Sequence, residues 1–259
     1  MSFPDTGKMW IRYWVKIIVG ALLLIIILII ALIISLLFFF VQKVKQTQEN
    51  TVEIPREEGE IVIYFCPADA CDQELLNKIN QSTAAIHCAF YNLNIGNIIS
   101  LLEQKSNAGL DVKLIIDNDN SKAAENLDFV KYDTRSAYMH DKFCIFDGKE
   151  ISTGSMNPTA GDTTENNNNL LFISSNILAK NYEAEFQSFW SREFGKDQEV
   201  EFPKIIFNNF TIENYFCPED NCEEHIAAIL QTATASIKFM QFSFTSDKLG
   251  GILLKKMNS

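Results

Sequence analysis

The chain has no surplus of positive charge. Its 22 Lys and Arg face 33 Asp and Glu, for a net charge of −11 over 259 residues. The first 41 residues hold three basic residues and one acidic residue, so the remainder carries about −13. A surface of that sign repels nucleic acid in general and leaves only a local basic groove as a route to a polyanion. Histidine is scarce: His87, His140 and His225 are the only three, so imidazole chemistry has few places to reside. Long apolar runs are also lacking, with one exception. Ile17 to Val41 is apolar over 25 residues, interrupted only by Gly20 and Ser35. The run closes on Phe38-Phe39-Phe40-Val41, without a small-residue cleavage site, and it is longer than the apolar core of a signal peptide.

At about 1.5 Å per residue, such a run extends about 37 Å and crosses a hydrocarbon core of about 30 Å with some tilt. It predicts a single-pass anchor over 17–41, behind a short flank (1–16) in which Trp10, Tyr13 and Trp14 suit an interfacial aromatic belt. Lys8, Arg12 and Lys16 precede the run, and Lys43 and Lys45 come after it. That balance favours an N-terminus in the cytoplasm and a globular part outside. Residues 42–59 are polar and charged and read as a linker.

Beyond the linker the hydrophobic period alternates between strand and helix. Strands are expected at 60–66, 84–93, 111–117, 142–147, 150–153 and 170–174. Helices are expected at 72–81, 95–107, 121–130 and 177–194. This alternation predicts an α/β sandwich: a mixed sheet with helices on both faces.

The chemistry concentrates in H-D-K-F-C-I-F-D-G-K-E-I-S-T-G-S-M-N, residues 140–157. His140 and Lys142 are two apart, so on an extended strand both leave the same face. Imidazole attacks or carries a proton near neutral pH. Lysine supplies a fixed positive charge, and Ser155 and Asn157 supply hydrogen-bond donors to phosphate oxygens. Together they suit an anionic phosphodiester.

The spacing His140, Lys142, Asp147, Gly154, Ser155, Asn157 resembles the H-x-K-x4-D and G-[GS]-x-N signature of the phospholipase D superfamily. Residues 167–190 resemble the strand and helix that come after it in the nuclease-like branch. The resemblance implies a phospholipase D-like fold over 60–196. It also implies metal-independent and cofactor-independent cleavage of a phosphodiester, either phospholipid or nucleic acid. His140, Lys142 and Asp147 are then the catalytic set, with Ser155 and Asn157 binding phosphate. One histidine forms a phosphohistidine while a second, from another motif copy, protonates the leaving oxygen. Many nuclease-like members carry a Glu that orients the histidine; that position is Asn168 here, with Glu165 three residues earlier.

Y-F-C-P-A-D-A-C at 64–71 recurs as Y-F-C-P-E-D-N-C at 215–222, an offset of 151 residues. Thr83-Ala84-Ala85-Ile86 matches Thr234-Ala235-Ser236-Ile237 at the same offset. Residues 212–259 therefore read as a partial second copy without a motif, ending opposite Ala108. Two accounts stay open: a piece of a two-motif enzyme, or a single-motif enzyme with a partial tail. The single motif predicts a homodimer if the chain is catalytic. The alternative is an inactive family member that acts as a membrane-bound binding protein. For Cys66, Cys71, Cys217 and Cys222, small disulfide loops, buried thiols and a metal site of two C-x4-C knuckles are the competing readings. Disulfides imply an oxidising compartment. Cys88 and Cys144 fall inside strand patterns and read as core.

Overall fold

The computed structural model describes Trp14 and residues 23–24, 28–41, 43, 53–117, 124–195 and 199–258. The chain divides into two units, Met1–Glu53 and Ile54–Ser259. In the first, residues 23–24 and 28–41 are helical and their apolar side chains are exposed. The rest of the expected anchor lies outside the described residues. Among the described residues no helix is long and apolar enough to cross a membrane.

The second unit is built on a seven-stranded mixed sheet. Its strands are β2 (Ile61–Cys66), β3 (Ala85–Phe90), β4 (Asp111–Asp117), β5 (Val130–Asp133), β6 (Lys142–Phe146), β7 (Glu150–Gly154) and β8 (Asn168–Ser174). They lie in the order β2-β8-β7-β6-β3-β4-β5. β3, β4 and β5 run parallel, and the other neighbours are antiparallel. A small sheet joins β1 (Arg56–Glu57), β9 (Lys204–Phe207) and β10 (Phe210–Glu213) in the order β1-β9-β10.

Helices cover both faces, as the alternating pattern predicts. α1 (Cys71–Gln81) presents Cys71, Leu75 and Ile79, spaced four apart on one side, to the sheet. It packs beside α2 (Gly96–Asn107), whose Ile98 and Leu102 enter the same core as Cys88, Cys144 and Phe146. α4 (Asn176–Ser191) covers the other face and packs Leu178, Phe186 and Phe189 with Phe143, Ile145 and Ile151. β6 is central, so its two sides feed two cores. That is why Phe143-Cys144-Ile145-Phe146 is an unbroken apolar run. The short α3 (Ala160–Thr164) starts at Thr159, whose hydroxyl accepts from Asp162 N–H.

Three expectations change. The helix at 121–130 does not hold: 121–123 lie outside the described residues, 124–129 contain turns, and Val130 opens a strand paired with Leu114. Asn126 sits at φ 75°, incompatible with a helix interior. The linker also ends early. Arg56–Glu57 pairs with Ile206–Phe207, and the Glu57 carboxylate accepts from Asn176 N–H at 2.7 Å and from Ile177 N–H at 3.3 Å. Glu57 is thus a charged cap on the N-terminus of α4. Burial pushes its pKa up, but these hydrogen bonds and those from the Ser175 and Asn176 side chains outweigh that and hold it below the usual value. Finally, Cys88 and Cys144 are core residues but not thiols. They face each other across β3 and β6 and are disulfide-bonded. Cys66–Cys71 and Cys217–Cys222 are bonded as well, so no cysteine is free.

The 151-residue offset reappears in hydrogen bonds. Asp69 accepts from Phe65 N–H at 2.7 Å, and Asp220 accepts from Phe216 N–H at 2.6 Å. Lys105 donates to the carbonyls of Asn80 and Ser82, and Lys256 to those of Gln231 and Ala233. α5 (Cys222–Thr232) and α6 (Asp247–Met257) fall opposite α1 and α2. The counterpart of β3 differs. Residues 236–241 form no strand, and Phe239, Met240 and Phe242 are exposed. β3 is held between β4 and β6, whereas no strand lies beside 236–241 among the described residues.

Candidate active site

The two ends of β6 have different chemistry. At its start, Lys142 pairs with Phe90 at the end of β3. Asp117 closes β4 and Gly154 closes β7, both at this same end of the sheet. Loops leaving several strands therefore gather around one spot, the usual place for a site in an open α/β sheet. His140, just ahead of β6, is open to solvent over the residue as a whole, with one side of its ring covered by Tyr91. Lys142 is half-buried and its ammonium donates to the His140 carbonyl at 2.7 Å.

Tyr91, one residue past β3, completes the group. Its backbone N–H donates to the Asp141 carbonyl at 2.8 Å. Its ring lies 4.6 Å from the His140 ring, tilted by 56°, and the Lys142 ammonium lies over it at 5.2 Å from the centroid. Tyr138, which is exposed, meets Tyr91 edge-on at 5.5 Å.

Ser155 and Asn157 occupy the loop after β7. Gly154 at φ 140° lets that loop pass close to β8: a Cβ there would come within 2.4 Å of the Asn169 carbonyl oxygen. The Ser155 hydroxyl donates to Asn168 Oδ1 at 2.9 Å and accepts from Asn169 N–H at 3.1 Å. The Asn157 backbone and side-chain N–H groups both donate to Asp162 Oδ2 at 2.8 Å. Its Oδ1 accepts from Asn92 N–H at 3.3 Å, next to Tyr91.

Asp147 is elsewhere. It sits at the far end of β6, about 17 Å along the strand from Lys142 at the usual rise per residue. There it accepts from the N–H groups of Thr83, Ala84 and Ala85 and from the Thr83 hydroxyl, at 2.8–3.2 Å. With Gly148 it turns the β6–β7 hairpin, at φ 52° and 64°, the signature of a type I′ turn. The grouping of Asp147 with the catalytic pair is corrected: its place in the signature reflects the hairpin. Asn168 does not take over the orienting carboxylate's role; it is bonded to Ser155 and to the Asp162 carbonyl. Glu165 is exposed at the end of α3. The carboxylate whose charge acts on His140 is Asp117. His87 and His225 stand apart: His87 is bonded to Glu183 and Asp111, and His225 stacks on Tyr215.

Electrostatics tune the pair. Burial, then the neighbouring Lys142 charge, push the His140 pKa below its ordinary value, against the pull of Asp117. Burial brings Lys142 down to about 8, against Asp141 and Asp162. The lowered His140 pKa favours the neutral imidazole, whereas Lys142, at about 8, is still largely protonated at pH 7. Asp141 lies between the two. Burial raises it to about 6; Lys142 lowers it and Glu219 raises it. Both Glu219 carboxylate oxygens are buried without a hydrogen-bond partner.

Among the described residues no group of three His, Cys, Asp or Glu side chains is placed to hold a metal ion. Residues 75–190 match the family model described as "Cardiolipin synthase, PLD-like domain". This segment is a phospholipase D-like domain. It contains the whole group around His140. A protein called "Mitochondrial cardiolipin hydrolase" in Xenopus tropicalis is 26% identical over 136 residues, covering 48% of this chain and 65% of that protein. A "Phospholipase D" of Rickettsia typhi is 26% identical over 137 residues, covering 50% of this chain and 66% of that protein. The chain thus spans less than two thirds of the length of these curated relatives. Among solved structures, a phospholipase D family member, Nuc from Salmonella typhimurium, is 23% identical and covers 51% of this chain and 95% of its own, with a TM-score of 0.48.

Sequence reasoning passed over Tyr91, Asp117, Asp162 and Tyr138. A signal existed for two of them. Tyr91 and Asp117 stand at the carboxyl ends of parallel strands, where ligands bind in such sheets. Asp162 carried none, because its partner Asn157 meets it only through the fold of α3.

Proposed function

We propose that the chain is a membrane-anchored phosphodiesterase of the phospholipase D type. The apolar run 17–41 is its anchor, and phospholipid or nucleic-acid diesters are its substrate class. The observation that carries this reading is the meeting of His140 and Lys142 on one ring, Tyr91, at the sheet end where the Ser155–Asn157 loop also lies. The neutral imidazole attacks phosphorus, and the alkoxide leaves as the N–P bond forms. A second histidine protonates that alkoxide and then takes a proton from the water that cleaves the phosphohistidine. Lys142 holds a non-bridging oxygen, whose charge grows in the transition state. His140 of a second copy supplies the acid, so the working species is a homodimer.

The test uses the full chain in detergent micelles. It measures hydrolysis of bis(p-nitrophenyl) phosphate, cardiolipin vesicles and single-stranded DNA, with His140→Ala and Lys142→Ala as controls. A fall of at least about 10³-fold in His140→Ala is expected. Turnover that persists in that variant removes the proposal. Light scattering gives the oligomeric state, and a strictly monomeric active protein removes the dimer. A second reading, a phosphate-binding module without catalysis, is favoured by Asn168 standing where an orienting Glu is expected and bonding Ser155 instead. It predicts phosphate binding that depends on Lys142, with no turnover of any diester.

A further inference from the structure

We propose that Tyr91 is a positioning residue that keeps the His140 imidazole and the Lys142 ammonium directed at the same phosphate group. This rests on the phosphodiesterase reading for its consequence, but not for its test.

The geometry is specific. Tyr91 comes directly after β3 and is pinned by its own N–H on the carbonyl of Asp141, the residue between His140 and Lys142. One ring therefore touches both functional side chains, with the imidazole 4.6 Å from its centroid and the ammonium over it at 5.2 Å. Tyr138 packs edge-on against it from the loop before β6 and limits its rotation. Lys142 has four methylene groups and reaches the His140 carbonyl, and the Tyr91 ring is the surface on which its ammonium and the imidazole meet.

The ring also acts electrostatically. Its negative face attracts an ammonium or imidazolium, whereas an aliphatic side chain of similar size does not. The charged groups that act on His140 are Lys142 and Asp117, and those that act on Lys142 are Asp141 and Asp162. Against that background Tyr91 favours the protonated form of both members of the pair. Protonated histidine is the form needed when the same imidazole serves as the acid.

The position has a counterpart in the chain. At the 151-residue offset from Tyr91 stands Phe242, another aromatic residue just past the segment that matches β3. Phe242 is fully exposed. An aromatic residue at this position is thus present twice, and of the two it is Tyr91 that lies against charged side chains.

The experiment is an NMR titration of the His140 ring in the full chain, which holds only three histidines. Tyr91→Leu is expected to lower the His140 pKa by about half a unit, and Tyr91→Phe to leave it unchanged. If diester hydrolysis is present, Tyr91→Leu lowers kcat/KM about tenfold and moves the acid limb of its pH profile by the same half unit, with Tyr91→Phe restoring both. If Tyr91→Leu does not fold, a ring-fluorinated phenylalanine at 91 keeps the shape and weakens the negative face, and the same downward shift is expected. An unchanged His140 pKa in a folded variant lacking the ring face overturns the proposal. A shifted pKa in a protein that cleaves no diester upholds the Tyr91 role and removes the enzymatic reading instead.

Discussion

Asp147 offers the sharpest separation of structure from catalysis. Replacing it with Ala removes the acceptor for three backbone N–H groups and one hydroxyl. Hydrogen bonds to a charged group contribute about 1.5–3 kcal/mol each when nothing replaces them, but Thr83 and Ala84 are exposed and water takes over there. The half-buried Ala85 N–H is the one left short, so the net loss is about 2 kcal/mol. In a unit the size of Ile54–Ser259 that lowers Tm by about 4–8 °C. Asn tolerates the left-handed backbone at φ 52° and keeps one oxygen, so Asp147→Asn isolates the charge and costs about 1 kcal/mol. Burial pushes the Asp147 carboxyl up, but the Ala85, Ala84 and Thr83 hydrogen bonds outweigh it and hold the pKa below 3.8. A depressed acid stabilises the fold above its unfolded pKa, and that stability is lost as pH falls through the folded value. The gap between the native protein and Asp147→Asn, read by urea unfolding, is therefore full at pH 7 and closes below about pH 4. Equal stability at pH 7, or lost diester hydrolysis with stability intact, would refute a purely structural Asp147.

The site carries further expected outcomes. The rate of diester cleavage should follow a bell-shaped pH profile, rising as the attacking His140 deprotonates, below the ordinary value of 6.5, and falling as the acid His140 of the second copy and then Lys142, at about 8, lose their protons; a rate flat from pH 5 to 9 contradicts these assignments. Asp141→Asn should stabilise the protein at pH 7.5 by up to about 3 kcal/mol, because the raised carboxyl favours folding only while protonated. Chemical denaturation at pH 7.5 and 4 should show that advantage shrinking as pH falls toward the unfolded pKa. Gly154→Ala should unfold more readily by at least about 2 kcal/mol and lose cleavage, since its Cβ has no room at β8 and its φ is unfavourable; a neutral substitution would contradict the close approach of this loop to β8. The full chain, expressed so that its globular part meets an oxidising compartment, should show no reactive thiol in denaturant, whereas two thiols per chain would contradict the Cys88–Cys144 bond.

Periodicity carried most of the sheet because apolar side chains decide it. Asp111–Asp117 reads as a strand from its residues alone and forms one, and the Leu75–Ile79 stripe gives α1 its buried side. The pattern failed where long-range pairing outweighed local preference. Val130–Asp133 is a strand because β4 offers it a parallel edge, which no local window reveals. β1, β9 and β10 are each four residues or fewer, too short for any period to register. At the site, His140 and Lys142 were legible from their spacing of two along one strand. Asp147 misled because a residue fixed in sequence relative to Lys142 by a hairpin is remote from it in space. Tyr91 was hidden because its role is set by the register Phe90↔Lys142 between strands about 50 residues apart. The Cys88–Cys144 bond was hidden for the same reason: both positions look like core until β3 and β6 are paired.

The most direct test of the nucleophile is a covalent trap. The full chain is mixed briefly with a radiolabelled diester, quenched in alkali, where phosphohistidine survives, digested, and sequenced by mass spectrometry. The account predicts one phosphoryl group on the imidazole of His140, absent from His140→Ala and chased away by continued incubation in buffer. Turnover of the diester with label on another residue, or with no label on any residue at the earliest times, contradicts it.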